Sequence, residues 1–268
     1  MTQAFSAHVQ GISDLLTTDH VSPVAQRFNL GVERVDDALG DGLTRGSVHE
    51  IFLSRPKDVT SAFGFTLALA LRAAGRKAIF VSQQDFLDTE AGEINAPGLH
   101  EMGLDPSRII LVRARDAEGV LRAGEQAARC AALGAVVIET WGEPKILDFT
   151  ASRRLSLAAA KSNVPIFMLR AAATPSQSAA ATRWIVRSAP SRALEANTPG
   201  YPAFELTLLR HRGGMAGSHW CVEWSRDRKC FQESKCGDVA PVSRVMVSVS
   251  NDRLAPSEAP HVAWRRAG

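Results

Sequence analysis

Residues 28–60 read FNLGVERVDDALGDGLTRGSVHEIFLSRPKDVT, and the chain continues SAFGFTLALALRAAG to position 75. Gly40, Gly42 and Gly46 punctuate the first part as turns. HEIF, residues 49–52, is a short apolar stretch of strand type. After a polar gap, residues 60–74 are rich in Ala and Leu, which favour helix, and Gly75 stops the run. A strand, a loop and a helix in this order form the setting of a phosphate-binding loop, GxxxxGK[ST]. There, glycines let backbone N–H groups approach phosphates, a lysine neutralises them and a hydroxyl holds magnesium. The setting is present here, but most of the residues that would do this chemistry are not.

Outward from this stretch the pattern repeats. Residues 77–82, 108–113 (RIILVR), 135–140 (AVVIET) and 164–169 (VPIFML) are apolar runs of buried-strand length. Between them lie a helix capped by Asp116 and running to Leu133, and another over 147–162. Residues 85–98 are loop-like, and a short helix ends near residues 100–102. Strands alternating with helices predict an α/β fold, doubly wound, with a mostly parallel sheet covered on both faces. After residue 180 the spacing changes. Residues 184–187, 203–210 and 219–224 predict strands joined by short turns, an antiparallel C-terminal extension of the sheet.

Composition bounds the function classes. The 268 residues are 45% hydrophobic and 22% charged, so a globular core is expected. A net charge of +3 permits nucleic-acid contact without arguing for it. No apolar run reaches membrane-spanning length, so no membrane partner is expected. Without a basic-then-apolar leader pattern the expected compartment is the cytoplasm. Cys130 lies in an apolar helical run and reads as buried. Cys221, Cys230 and Cys236 form no CxxC pair, and even with His219 they read as scattered reduced thiols rather than a metal site.

The order and spacing of these segments carry a resemblance over about residues 28–225. LGVERVDDALGDGLTRGSVHEIF resembles the approach to the phosphate loop of RecA-like proteins, so a RecA-like core is implied. Aligned without a gap, the first motif glycine falls on Leu53, the second on Asp58 and the lysine on Val59. The hydroxyl survives as Thr60. In AIFVSQQDFLD, residues 78–88, the family's water-activating glutamate falls on Gln84, an amide that cannot act as a base. In GAVVIETW, residues 134–141, Glu139 stands where the family carries aspartate. FELTLLRHR, residues 204–212, puts Arg210 and Arg212 where basic residues approach a neighbouring subunit's nucleotide. A carboxylate at Asp58 and no lysine disfavour a triphosphate. No nucleotide, metal or other cofactor is therefore expected.

A degenerate RecA-like ATPase of this kind is similar to the ImuA family of damage-inducible mutagenesis proteins, which are related to the division inhibitor SulA. The resemblance implies a non-catalytic accessory role in SOS-induced, error-prone translesion synthesis. It implies as partners the ImuB type of inactive Y-family polymerase, indirectly an error-prone C-family polymerase, and RecA as a further candidate. Alternatives are a SulA-type division inhibitor and an ATPase with a non-standard phosphate loop. Loops 141–146 and 170–182 correspond to the DNA-facing loops of RecA-like proteins. They carry few cations, so DNA contact is expected to be weak or indirect, with Arg170, Arg183, Arg210 and Arg212 as the candidate contacts. In organisation, 1–27 reads as an amphipathic helix (Phe5, Val9, Ile12, Leu15, Leu16) and linker, and 28–236 as the core. Residues 237–268 read as a weakly ordered tail whose Val262, Trp264 and Arg265 suit partner binding.

Overall fold

The computed structural model describes residues 26–234 apart from 88–91, 193, 196–197, 199 and 215. The chain divides into one unit ending at Asp238 and a second, Val239–Gly268, which lies outside the described residues.

An outlying ribbon pairs β1 (Arg27–Phe28) with β2 (Leu43–Thr44) around helix α1 (Glu33–Ala38). The central sheet begins with β3 (Val48–Leu53), followed by helix α2 (Val59–Ala74) and β4 (Ile79–Gln84). Helix α3 (Ala96–Glu101), β5 (Ile109–Ala114), helix α4 (Ala117–Ala128), β6 (Ala135–Trp141), helix α5 (Phe149–Ser162) and β7 (Ile166–Ala171) follow. β8 (Thr182–Ala189), β9 (Ala203–His211), β10 (His219–Ser225) and β11 (Cys230–Glu233) complete it. The sheet order is β11-β10-β9-β8-β3-β7-β6-β4-β5. From β8 to β5 every neighbouring pair is parallel, and from β8 to β11 every pair is antiparallel. The expected parallel sheet with an antiparallel extension is thus the observed one.

Alternation along β3 explains its central place. Ile51 faces a core containing Phe65 and Leu69 of α2, Val81, Leu169, Trp184, Phe204 and Phe231. Val48 faces the opposite core with Val120, Leu155, Ile166 and Met168 under α4 and α5. A strand buried on both faces needs helices on both sides, and α2 is itself buried nearly all round. Asp116, Asp148 and Asn95 cap α4, α5 and α3 by accepting from backbone N–H groups three residues on.

Three expectations are corrected. Helix α4 ends at Ala128 rather than Leu133, with Arg129 as its C-cap. Cys130 therefore falls in an exposed connection and is a surface thiol, not a buried one. Cys221 is disulfide-bonded rather than reduced, whereas Cys130 and Cys230 are free. Among the described residues no cluster of His, Cys, Asp or Glu could hold a metal ion, and no helix is long and apolar enough to cross a membrane.

Candidate functional site

The loop between β3 and α2 lies at the carboxyl end of the parallel strands, the usual ligand side of such sheets. It holds one short 3-10 turn, Pro56–Asp58, before α2 begins at Val59. The loop has the length of a phosphate cradle, but its own chemistry fills it. The Asp58 side chain is fully buried. Its Oδ1 accepts from the Ser188 backbone N–H at 3.1 Å and the Ser188 hydroxyl at 2.8 Å. Its Oδ2 accepts from Arg55 Nε at 3.1 Å. Burial by itself would raise the Asp58 carboxyl, but the hydrogen bonds from Arg55 and Ser188 outweigh it and hold the group below its ordinary range. An anion is thus built into the loop, and Arg55 and Ser188 are engaged with it. Val59, in place of the lysine, is buried at the start of α2, and Lys57 points into solvent.

Thr60 and Glu139 are brought together. Both line a small cavity of about 120 Å³ with Phe63, Gln83, Leu87 and Ile94. That is well below the roughly 300–1,000 Å³ typical of small-molecule and cofactor sites. Gln84, at the end of β4, uses its Oε1 to accept from the Trp141 backbone N–H at 3.0 Å, which ties β4 to β6. Its amide is a strut between strands. Trp141 is partly buried and meets the exposed Phe86 edge-on at 6.2 Å.

The four candidate arginines converge, but on the protein itself. Residues 172–181 carry the chain from the carboxyl end of β7 back to the start of β8. Arg183 Nε donates to the buried Glu50 of β3 at 3.0 Å, and its Nη2 donates to the Ser178 hydroxyl at 2.9 Å and the Ser176 carbonyl. The Ser178 hydroxyl donates to the same Glu50 oxygen at 2.8 Å. Arg210 donates to the Ser178 carbonyl at 2.9 Å and Arg212 to the Ala179 carbonyl at 2.7 Å. Arg170 is 4% exposed, lies over the Phe52 ring at 5.5 Å and reaches the Ser176 hydroxyl at 3.5 Å. Burial lowers the Arg170 pKa, and the nearby Glu50 and Glu143 oppose that shift. The two loops at this end are also joined, since Glu143 accepts from the Thr174 N–H at 3.0 Å and from its hydroxyl.

Sequence reading overlooked Glu50, Ser178 and Ser188. Only an acidic residue inside an apolar strand signalled Glu50, and nothing local signalled the two serines. Val262, Trp264 and Arg265 lie outside the described residues.

No family model matches the chain. It is 31% identical over 200 residues to "Protein ImuA" of Caulobacter vibrioides, covering 69% of this chain and 77% of that protein, with the same match in two strains. Among solved structures it resembles the RadB recombinase with a TM-score of 0.52 and 15% identity, over 78% of this chain and 100% of that one. The second likeness concerns the fold alone.

Proposed function

The chain belongs to the ImuA family, and from that premise we propose that it is a non-catalytic accessory factor in SOS-induced, error-prone translesion synthesis. It bridges an inactive Y-family polymerase-like subunit of the ImuB type to RecA or DNA, and through that subunit serves an error-prone C-family polymerase. The observation that carries this reading is Asp58. A buried carboxylate bonded to Ser188 and Arg55 takes the place a triphosphate would need. Overlap would set like charges at contact distance, which low-dielectric burial makes costly. Val59 provides no compensating cation, and the cavity between Thr60 and Glu139 measures about 120 Å³, below the range usual for cofactor sites.

The arginines support a protein-directed rather than DNA-directed role. Arg170 is buried, and Arg183, Arg210 and Arg212 each give a donor to the crossover between β7 and β8, which ties these side chains to the protein. Direct DNA contact is accordingly weak, and Val262, Trp264 and Arg265 in the tail supply the docking segment for the polymerase-like subunit.

Two experiments test this. Calorimetric titration with ATP and magnesium is expected to give no heat of binding, and micromolar affinity would replace this reading with that of an ATPase using a non-standard loop. Pull-down from damaged cells is expected to recover the polymerase-like subunit with the full chain and to lose it with residues 1–236. Equal recovery would remove the tail from the interface. Filamentation on expression in undamaged cells would favour a SulA-type division inhibitor instead.

A further inference from the structure

Every strand of the central sheet except those at its two margins has a neighbour on both sides. The margin at β11 is covered. The Leu30 carbonyl accepts from the Phe231 N–H at 3.0 Å, and Arg34 reaches Glu233 at 2.8 Å. At the other margin β5 pairs with β4 alone. Ala114 lies opposite Gln84, and its carbonyl accepts from the Asp85 N–H at 2.9 Å, so its backbone groups point toward β4. Direction alternates along a strand, so Ile110 and Val112 also turn their N–H and C=O groups to β4, and Ile109, Leu111 and Arg113 turn theirs outward. The Ile109 N–H is taken by the Pro106 carbonyl. Among the described residues nothing takes the N–H or the C=O of Leu111.

The side chains match an open margin. Residues 109–114 read IILVRA and are apolar but for Arg113, yet none is buried and Ile110 is 46% exposed. Ile109 and Leu111 lean on the core under α2, which puts Ile110 and Val112 on the other face of the sheet. Edge strands are normally blunted by charge, proline or a cover, because a row of unused backbone groups templates pairing with another chain. The one charge in this strand, Arg113, is engaged by Glu93 at 3.0 Å.

We propose that β5 is a dimerisation edge, at which two copies of the chain pair this strand antiparallel about a twofold axis at Leu111. The strand is its own complement. At the axis the two Leu111 residues exchange N–H···O=C bonds in both directions, with their Cα atoms about 5.5 Å apart. Ile110 of each copy then lies opposite Val112 of the other, so the two pairs cover one another on the face where Ile110 is exposed. Arg113 falls opposite Ile109, so no like charges meet across the pair. The covered margin at β11 decides between a closed pair and a chain of copies. With Leu30 and Arg34 on β11, the β5 edge of one copy cannot add to the β11 edge of the next, and association stops at two. One strand pair is a small interface, which places the contact in the weak, reversible class.

Sedimentation velocity of the full chain at about 100 µM, a concentration that populates complexes of micromolar Kd, is expected to show a dimer and nothing larger. Ile110→Lys puts a charge into the apolar contact. Leu111→Pro removes the donor at the axis and leaves the bonds to β4 in place, since proline is tolerated where an edge N–H faces outward. Each substitution is expected to weaken the dimer at least tenfold, and a thermal melt checks that each variant remains folded. Residue-resolved hydrogen exchange at the same concentration is expected to find the Leu111 amide at least fivefold better protected in the parent than in Ile110→Lys. A parent that stays monomeric, assemblies larger than two, a dimer whose Leu111 amide exchanges as fast as in the variant, or a dimer indifferent to both substitutions would each overturn the proposal.

Discussion

Replacing Asp58 by alanine removes an acceptor that serves four donors at once. Ser188 loses partners for its backbone N–H and its hydroxyl, and Arg55 loses a carboxylate. The Asp58 side chain is fully buried, so water does not readily replace it. An abandoned buried N–H costs about 2 kcal/mol, and a hydroxyl that can rotate toward another acceptor about 1 kcal/mol. The Arg55 side chain is 42% exposed and its guanidinium recovers water, so its share is at most about 0.5 kcal/mol. The expected loss for Asp58→Ala is therefore about 3 kcal/mol. Asp58→Asn keeps an oxygen for Ser188 and gives up mainly the charge, so it should lose about 1 kcal/mol. Urea denaturation at pH 7 measures both, read from the shift in midpoint at constant slope. If the two variants fall within about 0.5 kcal/mol of each other and of the parent, Asp58 is not the anchor of this loop. The chain then does not fill its own phosphate cradle.

Three further outcomes are expected. His49 is fully buried, and burial lowers its pKa to about 4 from 6.5 despite the bond to the Thr44 carbonyl, with nearby His211 adding to the shift. Between those values the unfolded chain takes up a proton that the folded chain refuses, so stability should fall as pH drops from 6.5 toward 4. At about 1.4 kcal/mol per pH unit the loss is roughly 3 kcal/mol, and an imidazole titrating above pH 6 by NMR would contradict it. Glu50→Ala strands Arg183, whose side chain is 12% exposed, and should cost about 3–5 kcal/mol in urea denaturation; a cost under 1 kcal/mol would mean that Ser178 and Ser176 alone hold the crossover. Gly42 has φ +100° and a Cβ there would stand 2.3 Å from the Phe28 carbonyl oxygen. Gly42→Val should therefore lower the melting temperature by on the order of 10 °C, and an unchanged melt would refute that packing.

The sheet was legible because its determinants are local. Apolar runs such as 135–138 and 166–169 have strand length, and Asp116 and Asp148 cap helices within three residues of themselves. The end of α4 was not legible, because the four alanines among residues 127–132 favour helix and nothing local stops it before Gly134. Only Leu133 and Gly134 turning into β6 require the chain to leave the helix early, which carries Cys130 to the surface.

The candidate site divides along the same line. That Leu53, Asp58, Val59 and Gln84 lack the groups for nucleotide chemistry follows from residue identity, since no fold gives an aspartate the charge of a lysine. What those groups do instead came from pairings across 130 residues and more: Asp58 with Ser188, Glu50 with Arg183. Arg170, Arg183, Arg210 and Arg212 were readable as candidate cations from the resemblance, but their partners within the chain were not. The return of the chain through residues 176–179 brings them carbonyls and hydroxyls to bind. Chemical capacity is written in the order of residues, but which partner uses that capacity depends on which distant backbone the fold brings within about 3 Å.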